Sequence, residues 1–463
     1  MVVQTLQSGG ATERIAQRIT GQTAEAIASS LAGMILDGEL KPGKQLPTLR
    51  SLSKTAKVPL HFLADAWSVL RDRGLIVTRG RGGSFVADPH HPKTPDGGIL
   101  TAAAPRFPGW QQTDLVSGQA DLSLQLDLRD ALLAGLDTDN LHDIRRDQVT
   151  VPLREALERT WPFPAQEFST AGGGTEAVLL SIEAAAPPGS VVAIDEPVIP
   201  GIADTMRDLG ITPIGVACDT EGPIPASLLA ALEQHPTAFV YQPSGPFGRN
   251  HAVTQRRANE LAALLAETET WIIEDDSLGP LAEDDSVSMG ALLPDRVLRV
   301  RSYCKAYGID LRTSALGGSA ELIKRARAAR SHGIAVNSRI LQNALAYLID
   351  GEATTLAIQA ARRAYSRRRR NLLEALDAEG LTAEASPEGL MVWVEVADET
   401  RALLDLAAHG IVLGEGRRAF LEGTTRGYLR IAVTHLPDDS RLIAELAGTI
   451  RQAAAGELRA YLN

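Results

Sequence analysis

The sequence is poor in cysteine and in aromatic residues, with two cysteines (Cys218 and Cys304) and 4% Phe, Trp and Tyr in 463 residues. Two thiols make no disulfide framework, which excludes a small secreted scaffold and points to a reducing cytoplasm. So few aromatics leave Ala, Leu, Val and Ile to fill the interior, and the 44% apolar content is enough for sizeable cores. No apolar run approaches the length of a membrane span, and the N-terminus has no basic-then-apolar export pattern. A cytoplasmic chain without membrane contact is expected. His90-His91 is the nearest approach to a metal motif, but no ligand partners sit nearby at useful spacing, so no metal is expected.

What is present is length and an uneven charge. The chain is too long for one ordinary domain. Residues 1–90 carry eleven Lys/Arg against seven Asp/Glu, a balance of +4, whereas the whole chain stands at −11. A basic head on an acidic body suggests a head that meets an anion such as nucleic acid.

Residues 1–20 are polar and read as a flexible tail. Over 22–37, Ala26, Ile27, Leu31, Met34 and Ile35 fall at helical spacing, and Gly38 follows at a helix end. A second helix is expected over about 48–56 and a third from Pro59 to Asp72, with Leu63, Ala66, Trp67 and Leu70 on one face. Strands at Leu75–Thr78 and Ser84–Ala87 then flank a Gly/Arg turn. Three helices and a hairpin in this order make a winged helix-turn-helix over 21–88. Its third helix would enter the major groove, and Arg79 and Arg81 on the wing would reach phosphate or the minor groove. Residues 89–112 are rich in Pro, Gly and Ala and read as a linker.

From about 113 strands alternate with helices. Apolar strands are expected at 191–195, 211–217, 238–242, 271–275 and 297–302, with helices at 174–186, 200–209, 225–234 and 254–267. That is an α/β domain with a largely parallel sheet, its large part spanning about 166–350. A smaller α+β domain follows over about 355–463, opening with an Arg-rich helix. The run RRAYSRRRRNLLEAL resembles a nucleic-acid patch, but Leu372, Leu373 and Leu376 can anchor it, so a solvated helix face is expected.

The chemistry concentrates in RSYCKAYGIDLRTSALGG, residues 301–318, and in WIIEDDSLGP about thirty residues upstream. A buried strand ending in acids, then a lysine, then an arginine, is the layout of a site for an anionic cofactor. Lys305 can form an imine with an aldehyde. An Asp at the strand end can hold a pyridinium nitrogen, and Ser302 and Arg312 can hold a phosphate. An exposed lysine loop and an Asp capping the next helix would show the same spacing.

Two resemblances bear on that choice. DGELKPGKQLPTLRSL and DRGLIVTRGRGGSFV resemble the GntR type of winged helix, which implies DNA contacts from Arg50, His61, Arg79 and Arg81. Where that family opens its recognition helix with Val-Ser-Arg, this chain reads Val58-Pro59-Leu60-His61-Phe62. The body resembles a fold-type-I, pyridoxal 5′-phosphate (PLP)-dependent aminotransferase over about 113–463. A GntR-type head on such a body is the layout of the MocR-type transcriptional regulators. The resemblance implies that Gly174 and Thr175, in TAGGGTEAVLL, donate backbone N–H groups to the cofactor phosphate at a helix N-terminus. Asp275 then matches the pyridine-nitrogen partner, Lys305 the Schiff-base lysine, and Ser302 and Arg312 further phosphate ligands. Arg430, in YLRIAV, matches the arginine that clamps an effector or substrate carboxylate. Three positions depart: Ser277 and Ile199 stand where the family has Tyr, and QPSGPFGRN has Gly245 or Pro246 near the family's Asn. These are the groups that tune the cofactor's phenolic oxygen.

The expected function is a regulator that binds double-stranded DNA with its head and senses an amino acid or amine through PLP, as a homodimer. A PLP-dependent aminotransferase, and a regulator whose body has lost PLP and takes another ligand, are the alternatives. The missing phenolic-oxygen partners weigh against the first alternative, and Lys305, Asp275 and Arg312 against the second.

Overall fold

Thr48 accepts a hydrogen bond from Ser51 N–H at 3.2 Å and so caps a short helix, and Lys57 in the left-handed conformation ends it. This helix belongs to the first of two units in the computed structural model, Met1–Ile99 and Leu100–Asn463. The structure describes residues 9–19, 23–36, 39–41, 43–72, 75–78, 83–86, 115–138, 141, 148–245, 247–283, 287–330 and 336–458.

The first unit holds α1 (Gly9–Arg18), α2 (Ala24–Leu36), α3 (Leu49–Ala56), α4 (Leu60–Asp72), β1 (Ile76–Thr78) and β2 (Ser84–Val86). The strands pair antiparallel, Ile76 opposite Val86, and residues 43–46 add backbone bonds to β2. Ile27, Leu31, Leu52, Leu63, Trp67 and Leu70 form the core, following the helical periodicity of the sequence. One expectation fails. The stretch read as a flexible tail contains α1, because Ile15 buries its side chain in that core at 2% exposure. The linker reading falls outside the described residues.

In the second unit eight strands form one sheet: β3 (Glu167–Ala171), β4 (Val191–Glu196), β5 (Thr212–Asp219), β6 (Gly222–Pro223), β7 (Ala238–Tyr241), β8 (Trp271–Asp276), β9 (Val297–Arg301) and β10 (Ser314–Gly318). Their order is β3-β10-β9-β8-β7-β4-β5-β6. The five central strands, β9 to β5, are parallel, and β10 pairs antiparallel with both β9 and β3. Helices cover both faces, so β7, β9 and β10 are buried at every position. Within β10, Gly317 leaves room for Phe168 and Trp161, since a Cβ there would lie 2.6 Å from the Phe168 ring.

The chain then enters a 27-residue helix, Glu352–Ala378, and a small antiparallel sheet of order β11-β12-β14-β13. Its strands are β11 (Ala383–Glu384), β12 (Met391–Val396), β13 (Gly414–Glu415) and β14 (Gly427–Ala432). The helices Glu399–Ala408 and Ser440–Ala454 complete this part. The arginine run on the long helix is a solvated face only in part: Arg363, Arg367 and Arg370 are exposed, while Arg362, Arg368 and Arg369 turn inward. Arg362 donates to the carbonyls of Pro280 and Ala282, Arg369 to those of Gly389 and Pro387. Arg368 is buried between Asp121 at 2.8 Å, Asp438 at 3.3 Å and the Thr434 carbonyl at 2.6 Å. These three guanidiniums tie the helix to four other chain segments. Among the described residues no helix is long and apolar enough to cross a membrane.

Candidate functional site

Parallel strands deliver their carboxyl ends to one edge of a sheet, and ligands of open α/β sheets bind there. Here that edge collects Asp195 from β4, Gln242 after β7, Asp275 from β8, and Ser302 and Lys305 after β9. The start of β10 adds Arg312, because β10 runs opposite to its neighbours, and the end of β3 adds the glycine turn 172–174.

The three acids ending β8 divide by strand alternation. Glu274 and Asp276 form a buried ionic network: Arg299 lies 3.2 Å from Glu274 and 3.0 Å from Asp276, and Arg301 lies 2.8 Å from Asp276. Burial pushes the Asp276 carboxyl up, but Arg299 and Arg301 outweigh it and hold it below the usual range. Tyr241, Ser288 and Met289 N–H complete the partners of Glu274. Asp275 behaves oppositely. It accepts from Gln242 Nε2 at 2.9 Å and from the Ser277 hydroxyl, and burial raises its pKa although Lys305 opposes the rise. A cation brought to Asp275 would therefore find a desolvated carboxylate with no guanidinium of its own.

Lys305 sits on the turn of helix Cys304–Tyr307. Its Nζ donates to the Ser277 carbonyl at 3.1 Å and lies 4.9 Å from the centroid of the Phe247 ring. The glycine turn opens the helix Gly174–Ala185, whose N-cap, Gly173, offers no side-chain cap. A Cβ on Gly173 would lie 3.3 Å from Arg312 Nη1, and one on Gly174 would lie 2.9 Å from Ser302 Oγ. Only glycines let the turn, the hydroxyl and the guanidinium come this close. Free helix amides, a hydroxyl and a guanidinium around one small space are the donor set of a phosphate cradle. Thr175 follows in the first turn. Glu176 also reaches the turn and accepts from Gly172 N–H at 2.9 Å, while Arg330 lies 3.5 Å from its carboxylate. The cradle, Asp275 and Lys305 together fit the phosphate, ring nitrogen and aldehyde of PLP.

Arg430 lies on β14 opposite Trp393 of β12. Its Nε donates to the Glu415 carbonyl at 2.8 Å, and its guanidinium carbon is 5.7 Å from the Trp393 ring centroid. Burial, then Arg418, lowers its pKa to about 10. Phe247 links the two halves of the site: besides facing Lys305, it packs against Met391, Trp393 and Tyr428. Ser277, where the resemblance offers a Tyr, spends its hydroxyl on Asp275. Ile199 packs against the sheet's apolar core.

Next to Gln242 lies a group that sequence reading missed. Asp195 accepts from Gln242 N–H at 2.8 Å, and burial raises its pKa to about 7. His251 stands 4.0 Å from Asp195, and burial lowers its pKa to about 4. Gln242 and Phe247 lie within QPSGPFGRN and Glu176 within TAGGGTEAVLL, but no role was read for them there; Asp195 ended an expected strand and carried no motif signal.

In the first unit Arg50 and His61 are exposed, at the starts of α3 and α4. The outer positions of α4 are Leu60, His61, Ala64, Asp65 and Arg71, so its leading half carries an acid and no arginine or lysine. Arg79, Arg81 and Pro246 lie outside the described residues.

Residues 112–445 match the family Aminotransferase class I and II, and residues 23–86 match Bacterial regulatory proteins, gntR family. The chain is 27% identical over 442 residues to the vitamin B6 salvage pathway transcriptional repressor PtsJ of Salmonella typhimurium, covering 94% of this chain and 99% of that protein. It is 25% identical to the HTH-type transcriptional regulator TauR of Rhodobacter capsulatus, covering 83% and 87%. Among solved structures it resembles Pyrococcus horikoshii kynurenine aminotransferase, with TM-score 0.66, 20% identity, and coverage of 75% and 91%.

Proposed function

Because the chain belongs to the aminotransferase class I and II family and joins to that body a GntR-type head, the MocR architecture, we propose that it is a transcriptional regulator whose DNA binding answers to an amino compound sensed at the PLP site. The family is PLP-dependent. The observation that carries the reading is the convergence of Lys305, Asp275 and the Gly173–Ser302–Arg312 cradle at one sheet edge.

Gly174, Thr175, Ser302 and Arg312 would hold the phosphate, Asp275 the ring nitrogen, and Lys305 the aldehyde carbon. When bound, PLP supplies an electrophilic carbon that a primary amine can take over from a lysine. The chain's own residues restrict the chemistry beyond that exchange. Ser277 is committed to Asp275, and Ile199 has no polar atom, so neither steadies the phenolic oxygen. Binding and exchange of amines are supported better than turnover. Arg430 offers a desolvated guanidinium to an effector carboxylate across the Phe247–Trp393 wall. A homodimer is the supported assembly: the helices Arg129–Leu136 and Arg339–Asp350 pack together and leave Leu133, Leu136 and Tyr347 exposed.

In a second reading PLP is itself the signal. The missing phenolic-oxygen partners favour it, and so does the likeness to PtsJ, named a vitamin B6 salvage repressor.

The test is borohydride reduction of PLP-loaded protein with peptide mapping, joined to operator binding measured with apo protein, PLP, and PLP plus amino acids. A pyridoxyl group on Lys305 and DNA affinity that responds to amines are expected. Response to PLP alone selects the second reading. No pyridoxyl group on Lys305, or no binding to any duplex at low salt, refutes the proposal.

A further inference from the structure

We propose that Asp195, Cys218 and His251 form a zinc-binding site one residue removed from the PLP pocket. The three come from the end of β4, the end of β5 and the loop after β7, and one ligand atom from each lies within 4.8 Å of the other two. A carboxylate, a thiol and an imidazole are a zinc set with a fourth position open to water. A sulfur ligand disfavours Mg²⁺ and Ca²⁺, which take oxygen.

The independent observation is His251. Its ring is 1% exposed, and neither Nδ1 nor Nε2 has a hydrogen-bond partner. Two buried ring nitrogens without partners are costly, and native structures seldom leave them so. Its neighbour Asp195 does not supply the missing bond. The gap is 4.0 Å, and the near oxygen, Oδ2, already accepts from Gln242 N–H. The loop is shaped around the imidazole. Gly245 has φ +53°, and a Cβ there would sit 2.3 Å from the His251 carbonyl oxygen. A Cβ on Gly248 would sit 2.5 Å from the ring's Cε1. This is the segment that, in the family the body resembles, supplies an Asn to the cofactor.

On β5, alternation separates Cys218 from Asp219. Asp219 pairs with Arg257 at 2.9 Å, while the thiol faces His251 and Asp195. Zinc binding would displace the thiol proton, because thiolate is the ligating form. A metal at this point would act on the cofactor pocket as an outer-sphere support. Asp195 holds Gln242, and Gln242 Nε2 holds Asp275. No ligand-spacing motif marks the site, because the three residues are scattered over 57 positions, from 195 to 251.

The test is zinc titration of tag-free, chelator-treated full-length protein against a chromophoric competitor. One equivalent per chain is expected, and Cys218→Ser or His251→Gln should each weaken binding roughly 100-fold or more. With Co²⁺, the thiolate charge-transfer band should vanish in Cys218→Ser and persist in Cys304→Ser. Running the titration in Lys305→Ala removes the PLP adduct, and uptake there should equal that of wild type, so the site stands or falls separately from the function proposed above. No stoichiometric uptake by natively folded wild type, or equal uptake by the variants, overturns the site.

Discussion

Two neighbouring acids on β8 should respond to the same substitution in opposite ways. Asp276→Asn removes the charge between Arg299 and Arg301, while Arg299 keeps Glu274 at 3.2 Å. Breaking a buried ion pair costs about 3–5 kcal/mol, and the remaining Glu274 places this variant near the lower end, about 3 kcal/mol. That corresponds to a melting decrease of roughly 3–4 °C in a chain of this size. Asp275→Asn removes a carboxylate that burial already penalises, and Gln242 can turn its amide to keep both hydrogen bonds. Its stability should change by less than about 1 kcal/mol. Its affinity for PLP should fall, because a charge-assisted hydrogen bond worth about 1.5–3 kcal/mol is lost, which is roughly 10- to 100-fold. Acid separates the two further. Asp276 has a lowered folded pKa, so its stabilisation is present above the ordinary carboxylate range and is lost as pH falls through that lowered value. Asp275 has a raised folded pKa, so its burden on wild type lifts as pH falls through that raised value, and the stability difference from Asp275→Asn should shrink. Thermal melts of cofactor-free protein, taken from neutral pH down through the ordinary carboxylate range, and PLP titration near neutral pH read these quantities. A large melting loss in Asp275→Asn with unchanged PLP affinity refutes the assignment of the two faces.

Other perturbations concern the site and the head. Arg50→Ala should weaken duplex binding on operator and random DNA alike and reduce the salt slope by about 1, read by fluorescence anisotropy over a salt series. Arg430→Ala should lose preference for carboxylated over decarboxylated amines in spectral titrations of the PLP-loaded protein; equal binding of both classes by wild type and variant would make Arg430 structural. Turnover with amino acid and keto acid pairs should stay well below about 1 per second, and steady turnover above that would favour an aminotransferase.

Much of the fold and site was legible because the relevant signals are local. Helical spacing in α2 and α4, the apolar strands β4, β5, β7, β8 and β9, and the Asp275–Ser302–Lys305–Arg312 spacing all lie within short windows of sequence. β3 and β10 escaped because EFSTA and SALGG are short, and β10 is rich in small residues whose strand propensity is low. Their place at one end of the sheet, beyond β9, comes from pairing, and pairing has no sequence window. α1 escaped because a polar helix is held by Ile15 alone among its buried residues, and the partners of Ile15 lie in the other helices of the head.

The arginine run shows why composition misleads at such places. Six arginines in nine positions, 362, 363 and 367–370 in RRAYSRRRR, state a charge but not a destination. Helical geometry turns successive residues by about 100°, so neighbouring guanidiniums meet different surroundings. Arg370 stays on the surface beside Glu374, Arg367 reaches Asp438, Arg368 is drawn inward to Asp121, and Arg369 satisfies carbonyls before β12. Arg362 reaches the carbonyls of Pro280 and Ala282, in the loop that follows Asp275 and Ser277. Tyr365 accepts from Asp121 N–H at 3.0 Å on the same inward side as Arg368. The helix therefore clamps the loop behind Asp275 and the segment around Asp121 to one rigid element. A regulator that must register a change at Lys305 needs such a rigid element, because side chains free in solvent would absorb a small displacement instead of passing it on. Half of the charge that looks like a DNA-binding stripe, Arg362, Arg368 and Arg369, is thus spent on holding the sensor together.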